Sequence, residues 1–374
     1  MEKKFILLLS ILFLKIICAA QPGTEKMMAD KVAYYPRIIR LQNSDANYNG
    51  VLMASFDNGN TGAFYESRDS GETWTAVSNL KETTSPRNCC SELYEVPQHI
   101  NNIKAGTLFW ATSVGTDQTP GSNCSIRIYK SIDHARTWQF YSTAVAGTTG
   151  LWEPEFTVDN KKRLVIFFSS EEYKTEGYNQ IIAHRISTDG GLTWSNDIKD
   201  VAVNDNIKRP GMPTVTTLPD GTYIMCYEVC GNNCDTYIRF SADGDNWGDA
   251  KDIETRVEST AGNHFSHAPT ITWFDDGTQN GILLLIGQVL NKNSDNTIAD
   301  ENGNVFMINR NNGKDLWTEI AAPVASPSDG KNPCENYSSQ LMPLMNGKKV
   351  LELALKKVNG ACRVFYNSGN MPHP

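Results

Sequence analysis

Beyond its first twenty residues the chain has no apolar run long enough to cross a bilayer. It also lacks any stretch with a sustained helical period, a glycine-rich phosphate loop and a Ser-His-Asp arrangement. Positive charge is scarce: 34 Lys and Arg against 42 Asp and Glu leave a net charge of -8 and a pI near 5.4. Nucleic acid or an anionic membrane surface would want a basic face, so both classes of partner are excluded. A neutral or weakly charged ligand fits better. With helices missing, strands must bury the core, and 374 residues with 40% apolar content suit a closed all-β architecture in one domain.

What is present begins with an address. "MEKK" followed by "FILLLSILFLKIICAA" reads as a positive n-region, an apolar h-region and a small-residue cleavage site, so residues 1–20 are expected to be a signal peptide cut after Ala20. Residues 21–374 then form the mature, secreted chain, extracellular or periplasmic, expected to be a monomer free of the membrane after cleavage. Export makes disulfides the default for Cys89, Cys90, Cys124, Cys226, Cys230, Cys234, Cys334 and Cys362. Pairing is not deducible from spacing, although a bridge from Cys334 to Cys362 would staple the last segment. "CYEVCGNNC" has the look of a metal cluster, yet no histidine sits at ligand spacing beside it, and no metal or cofactor is expected.

The dominant signal is a repeat: "SRDSGETW" at 67, "SIDHARTW" at 131, "STDGGLTW" at 187, "SADGDNW" at 241 and a decayed "NRNNGKDLW" ending at Trp317. Units of this length are blades or solenoid turns. In the full Ser-x-Asp-x-Gly-x-Thr-Trp pattern Asp bonds the backbone of its own turn, Gly supplies a positive φ and Trp packs the turn down. Between copies lie strand-like runs such as "RLVIFFSS", "QIIAHRIS", "GTYIMCYEV" and "GILLLIGQV".

These repeats resemble the Asp-boxes of the sialidase-like β-propellers, over almost the whole mature chain. The resemblance implies an all-β, six-bladed β-propeller whose boxes close blades one to five, away from the active site. "QLMPLMNGKKVLELAL" and "ACRVFYNSG" would form the sixth blade, and the strand near Arg37 is expected beside the segment around Phe365 where the ring closes. Function must then come from strand ends at the channel mouth. "LWEPEF" offers Glu153 and Glu155, placed by alternation on one face with Trp152 and Phe156 on the other. "YIMCYEVCG" ends a buried-looking strand with Glu228. Two carboxylates from adjacent blades are what glycoside hydrolysis needs.

A sialidase is the first hypothesis to check. "YPRIIRL" resembles the segment bearing a carboxylate-clamping arginine, at Arg37, and "YSSQL" the segment of the nucleophilic tyrosine, at Tyr337. The remaining positions break the pattern, with Glu228 where a second clamp arginine belongs, Gln288 in place of a third, and Met212 near the place of the glutamate that activates tyrosine. A carboxylate in the clamp repels a sialic acid carboxylate. "WEP" at 152 and "YE" at 227 are similar instead to segments of the family 93 glycoside hydrolases, exo-acting α-L-arabinanases with the same propeller. That resemblance implies a retaining mechanism on an oligo- or polysaccharide, with Glu153 or its neighbour Glu155 as acid/base and Glu228 as nucleophile. His264 and His267 are candidates for sugar hydroxyls or for loop packing. Trp152, Trp110 and Tyr337 could stack on a sugar or pack a blade, Arg209 should pair with a carboxylate, and Glu92 should line the channel. A non-catalytic lectin would share the repeat, the disulfides and the aromatics, but has no need of the carboxylate pair.

Overall fold

The computed structural model describes residues 24–85, 88–115 and 123–372, so the leader peptide lies outside the described residues. The chain forms six antiparallel blades in sequence order. Blade one comprises Tyr34–Arg40, Leu52–Asn58, Thr61–Ser67 and Thr75–Lys81; blade two comprises Asn88–Glu95, Leu108–Val114, Cys124–Ser131 and Gln139–Gly147. In blade three the strands are Leu151–Val158, Leu164–Ser170, Ile181–Ser187 and Ile198–Val201, and in blade four Arg209–Thr217, Tyr223–Cys230, Asp235–Ser241 and Thr255–Arg256. Blade five is built from Thr270–Phe274, Ile282–Ile286, Val305–Asn309 and Thr318–Ala321. The antiparallel pair of Asn263–Ser266 and Val289–Lys292, which flanks the first two strands of blade five in the chain, extends the blade-four sheet through the pairing of Ser266 with Asp235. No helix among the described residues is long and apolar enough to cross a membrane.

Blade six contains Gln340–Leu344, Lys349–Val358 and Ala361–Asn370, and takes its outermost strand from the other end of the chain. Lys26 pairs with Tyr366 and Met27 with Phe365. The strand carrying Arg37 lies beside this segment, as the sequence suggested, but it is the innermost strand of blade one, and the pairing that closes the ring is made by Lys26–Met27. Ion pairs from Glu25 to Lys356 and from Asp30 to Arg363 hold the same seam.

Middle strands are apolar on both faces because each blade is sandwiched between two others. Every residue of Leu164–Ser170 is buried, and Phe156, Ile166 and Phe168 of blade three pack on Phe109, Ile126 and Ile128 of blade two. Burying one such side chain contributes roughly 1.5–3 kcal/mol, so the inter-blade layers are the main source of stability.

The Asp-boxes close blades one to five between third and fourth strands. In the third box Ser187 Oγ donates to Asp189 Oδ1 (2.8 Å) and accepts from Gly191 N (2.7 Å), while Asp189 accepts from Thr193 N at 2.9 Å. The decayed fifth box keeps this geometry with different chemistry, since Asn309 Oδ1 accepts from the N–H groups of Asn311 (2.7 Å) and Gly313 (3.0 Å). Gly71 of the first box sits at φ 88, and a Cβ there would lie 2.5 Å from Leu351. In the second box Ala135 takes the equivalent turn at φ 63.

Six cysteines pair, as Cys89–Cys90, Cys230–Cys234 and Cys334–Cys362. The last is the expected staple. Cys226 is a buried thiol 3.0 Å from Thr214 Oγ1, and Cys124 Sγ donates to Gly115 O. Cys230, Cys234 and His267 come within 4.8 Å of one another, but two of the three sulfur and nitrogen donors are spent on a disulfide.

Deleting residues 21–31, which carry the closing strand and both seam ion pairs, should lower the thermal midpoint by several degrees, since each kcal/mol lost moves it about 2–4 °C in domains of 150–250 residues. An unchanged midpoint in a calorimetric scan would show that the seam adds nothing.

Candidate active site

At the head of each innermost strand stands a non-glycine residue in the left-handed region, Tyr35 (φ 55), Cys90 (61), Glu153 (58), Met212 (56), Ala268 (48) and Ser338 (54), joined in blades five and six by His267 (61) and Asn336 (55). Two places after each of the first six comes the residue at which regular pairing resumes or starts, namely Arg37, Glu92, Glu155, Thr214, Thr270 and Gln340. Between them stands Pro36, Pro154, Pro213 or Pro269, or in blades two and six Ser91 or Ser339. Proline offers no N–H to a ladder and suits a bulge. The bulge invalidates the simple alternation expected for "LWEPEF", and Glu153 and Glu155 meet different partners, Ser169 and Met212 for the first and Val215 for the second.

Because first strands start and second strands end at the same rim, Glu153 and Glu228 arrive there together from blades three and four. The Asp-boxes, after the third strands, lie at the opposite end. Glu153 Oε2 accepts from Ser169 Oγ (2.6 Å) and from the bulge N–H of Met212 (2.8 Å) on the next blade. Glu228 Oε2 accepts from the bulge N–H of Ala268 (2.8 Å), again one blade on. Gly211 pairs with Glu228 across the ladder, and a Cβ on it would lie 3.4 Å from Glu153 Oε2 and 2.6 Å from Gln180 Nε2. The missing side chain leaves room for the two carboxylates to approach. Burial and then the charge of Glu153 push the Glu228 carboxyl up to about 7. Burial also raises Glu153, against the opposing pull of Ser169, Met212 and Arg209.

Tyr35, Met212 and Ala268 pack together with the half-buried Cys90 and Tyr337. Since these come from five blades, they meet on the ring axis and floor the mouth. Tyr337 Oη lies 3.5 Å from Met212 Sδ, and burial followed by the charges of Glu228 and Glu153 holds its hydroxyl protonated far above its ordinary range. Below the floor, Arg37 is 3% exposed. Its Nε donates to Glu92 Oε2 (2.6 Å), and its Nη1 to Pro36 O (2.9 Å) and Ser338 Oγ (3.0 Å). Glu155 accepts from Val215 N (3.1 Å). Burial and the neighbouring Glu92 charge drive Glu155 well above the carboxylate range, which favours its neutral form beside the Glu92–Arg37 ion pair, where burial also raises Glu92.

At the rim, Arg209 pairs with Glu171 (2.6 Å), which also accepts from Trp152 Nε1 (3.1 Å) and from Lys174. Trp152 is half-buried there. Three candidates do not reach the mouth. His264 is 1% exposed, with its ring nitrogens against Asn293 Oδ1 (2.7 Å) and Asn296 Oδ1 (3.0 Å), which is the loop-packing role. Trp110 is fully buried between Phe64 and Tyr129. Gln288 donates to the carbonyls of Asn332 (2.7 Å) and Glu335 (3.1 Å). His267 stays near the site, half-buried next to Ala268, and burial lowers its pKa.

Sequence reasoning did not find Ser169, Glu171 or the donor role of the Met212 and Ala268 amides. Ser169 sits at the end of an apolar strand, in register with Trp152 as Glu228 is with Gly211. Aligning blades by strand ends rather than by Asp-boxes would have exposed that equivalence. A surface hollow of about 350 Å3 on blade five, lined by Asn309, Arg310, Lys314 and Asp315 among others, lies at the Asp-box end and holds no such pair.

The profile of the BNR repeat-like domain family matches residues 48–279, more than half of the chain. The chain belongs to that family. No curated protein matches it. Among solved structures, this BNR repeat-like protein is similar to a Penicillium chrysogenum alpha-L-arabinanase complexed with arabinobiose, at 24% identity and TM-score 0.73, over 93% of this chain and 99% of the other. It is also similar to the GH93 alpha-L-arabinofuranosidase of Fusarium graminearum with arabinobiose, at 20% identity and TM-score 0.74, over 93% and 98%. A Hadza microbial sialidase shares 11% identity and TM-score 0.60 over 91% of this chain and 66% of its own. At these identities the likeness establishes the propeller, which is the sialidase-like, six-bladed one expected.

Because the folded protein keeps Glu228 protonated to about 7 whereas an unfolded Glu loses its proton near 4.3, its contribution weakens stability as pH rises through that interval. Glu228→Gln should therefore raise the thermal midpoint relative to the parent at pH 8 and change it little at pH 4. An equal shift at both values would mean the carboxyl is not desolvated.

Proposed function

We propose that the protein is an exported glycoside hydrolase of the retaining, exo-acting α-L-arabinanase or arabinofuranosidase type, with Glu153 and Glu228 as its carboxyl pair. The observation that carries this reading is the pair itself: two glutamates from adjacent blades, each fixed by a left-handed amide of the following blade, over an apolar floor. The arabinobiose-bound relatives supply the sugar class. Their fold is shared, and a neutral furanose suits a mouth whose arginine is already neutralised by Glu92. The three disulfides agree with export.

Electrostatics assigns the roles. Arg209 favours the ionised form of both glutamates, but Glu153 accepts two hydrogen bonds and is the better-stabilised anion, whereas Glu228 has one amide donor and holds its proton to about 7. Glu228 then protonates the glycosidic oxygen while Glu153 attacks the anomeric carbon, breaking the glycosidic bond and forming a glycosyl ester. Ionised Glu228 next takes a proton from water, whose oxygen displaces Glu153 and restores the configuration. These roles reverse the ones implied by resemblance alone. Glu155 is a poor competitor for either, since it lies below the floor and shares its surroundings with Glu92. Tyr337, kept protonated beside both carboxyls, is a hydrogen-bond donor to substrate rather than a nucleophile.

Purified protein should release arabinose or arabinobiose from debranched arabinan and leave sialyllactose intact; the reverse preference would restore the sialidase reading. Glu153→Gln should abolish turnover on arabinan and on an aryl arabinofuranoside alike. Glu228→Gln should lose about 10²–10⁴-fold on arabinan, much less on the aryl substrate, and gain an arabinosyl azide of retained configuration when azide is added. The opposite pattern would swap the two roles. Wild-type rates in both variants would leave a sugar-binding propeller without catalysis.

In the parent enzyme kcat/KM should fall as pH rises through about 7, where Glu228 loses the proton it must donate. A profile flat to pH 9 would exclude Glu228 as the acid.

A further inference from the structure

The ring of left-handed residues that supplies Glu153 contains, in blade two, Cys90 (φ 61), bonded to its chain neighbour Cys89. Both cysteines are half-buried, in contrast with Cys334 and Cys362, which are 3% and 5% exposed. Cys90 packs against Tyr35, Met212, Ala268 and Tyr337. Two of those residues hold the carboxyl pair through their amides, Met212 on Glu153 and Ala268 on Glu228. A disulfide between adjacent residues encloses no length of chain, so it adds little by loop closure. What it does supply is a rigid, polarisable, weakly polar surface on which neither sulfur can rotate away or donate a proton. It fixes Cys90 in the left-handed turn that five other blades reach without such a link.

We propose that the Cys89–Cys90 disulfide is a substrate-contacting platform, the wall of the mouth against which the C–H face of a bound sugar rests while its glycosidic oxygen lies between Glu153 and Glu228. This rests on the hydrolase reading above and adds a specificity element to it. A sugar ring exposes one face of C–H groups and rims of hydroxyls. Pockets for such ligands combine apolar surface with a few placed polar groups, and here the polar groups are the carboxyls, Tyr337 and the Arg209–Glu171 pair. Trp152 is tied to Glu171 at the blade-three rim, and on the neighbouring blade two the half-buried Cys90 adds an apolar contact beside the floor residues. Replacing the disulfide by two thiols or two small side chains removes a fixed surface, so the loss should fall on binding more than on the chemical step.

The test uses the whole mature protein. In the inactive Glu153→Gln variant, brief treatment with a water-soluble phosphine followed by alkylation and mass mapping should label Cys89 and Cys90 well before Cys334 and Cys362. Saturating arabinotriose should slow that labelling at least fivefold. In the otherwise unaltered enzyme, Cys89→Ala with Cys90→Ala should raise KM for arabino-oligosaccharides about tenfold while kcat falls less, with the circular dichroism spectrum preserved. Should the double variant fail to fold, the protection experiment on the native disulfide still decides. Arabinotriose that binds without protecting, or a double variant with parental KM, overturns the platform and leaves the hydrolase reading standing. Protection by galactotriose or sialyllactose but not by arabinotriose upholds the platform and overturns arabinan as substrate. If none of the three sugars binds, both fall.

Discussion

The site depends on a backbone conformation before it depends on any side chain. At the head of every innermost strand a non-glycine residue turns left-handed, which costs on the order of 1–3 kcal/mol, and at two neighbouring stations the turn aims its N–H across the blade boundary. In blades four and five that amide reaches a glutamate of the preceding blade. In blade two the residue after the turn does the same, with Ser91 N 3.1 Å from Asp57 Oδ2 on blade one. The propeller thus carries a recurring amide-to-acid contact between neighbours, and the putting of glutamate at two adjacent stations turns a structural contact into a chemical one.

Two layers then have opposite electrostatic characters. The deeper layer is self-neutralised, with Glu92 on Arg37 and Glu155 kept uncharged beside them, so it asks nothing of a ligand. The upper layer is unbalanced, because Glu153 and Glu228 share a desolvated rim with no cation bonded directly to either among the described residues. Repulsion of this kind is a stability cost tolerated where a proton must be exchanged. Under the proposed reading the same contrast disfavours an anionic sugar: the donors of Arg37 are engaged by Glu92, Pro36 and Ser338, and a carboxylate, Glu228, stands at the rim.

The ring was legible because the Asp-box is a local device: Ser, Asp, Gly and Trp within eight residues satisfy one another, and five copies count the blades they close. Even the fifth copy, with Asn309 in the serine place and one extra residue before Trp317, keeps the turn in which that side chain accepts from the amides two and four places on. The closing strand was not legible, since Lys26–Met27 is two exposed residues with no pattern. At the site, Glu153 and Glu228 were visible as carboxylates inside apolar strands. Their surroundings were hidden, because the left-handed turn breaks the period of two from which faces are read. For the same reason Glu153 and Glu155 looked equivalent when one lies at the rim and the other below the floor. For His264 and Trp110 both readings stayed open, because an inward-facing polar or aromatic residue looks the same in sequence whether it faces a channel or a neighbouring blade, and the structure gives the packing one.

The most direct measurement is a crystal structure of the Glu228→Gln variant soaked with an arabino-oligosaccharide. The account requires the sugar at the rim opposite the Asp-boxes, with the glycosidic oxygen within hydrogen-bond distance of residue 228 and a Glu153 oxygen about 3–3.5 Å from the anomeric carbon. A sugar bound at the Asp-box end, or at the rim with its anomeric carbon turned away from Glu153, would contradict it.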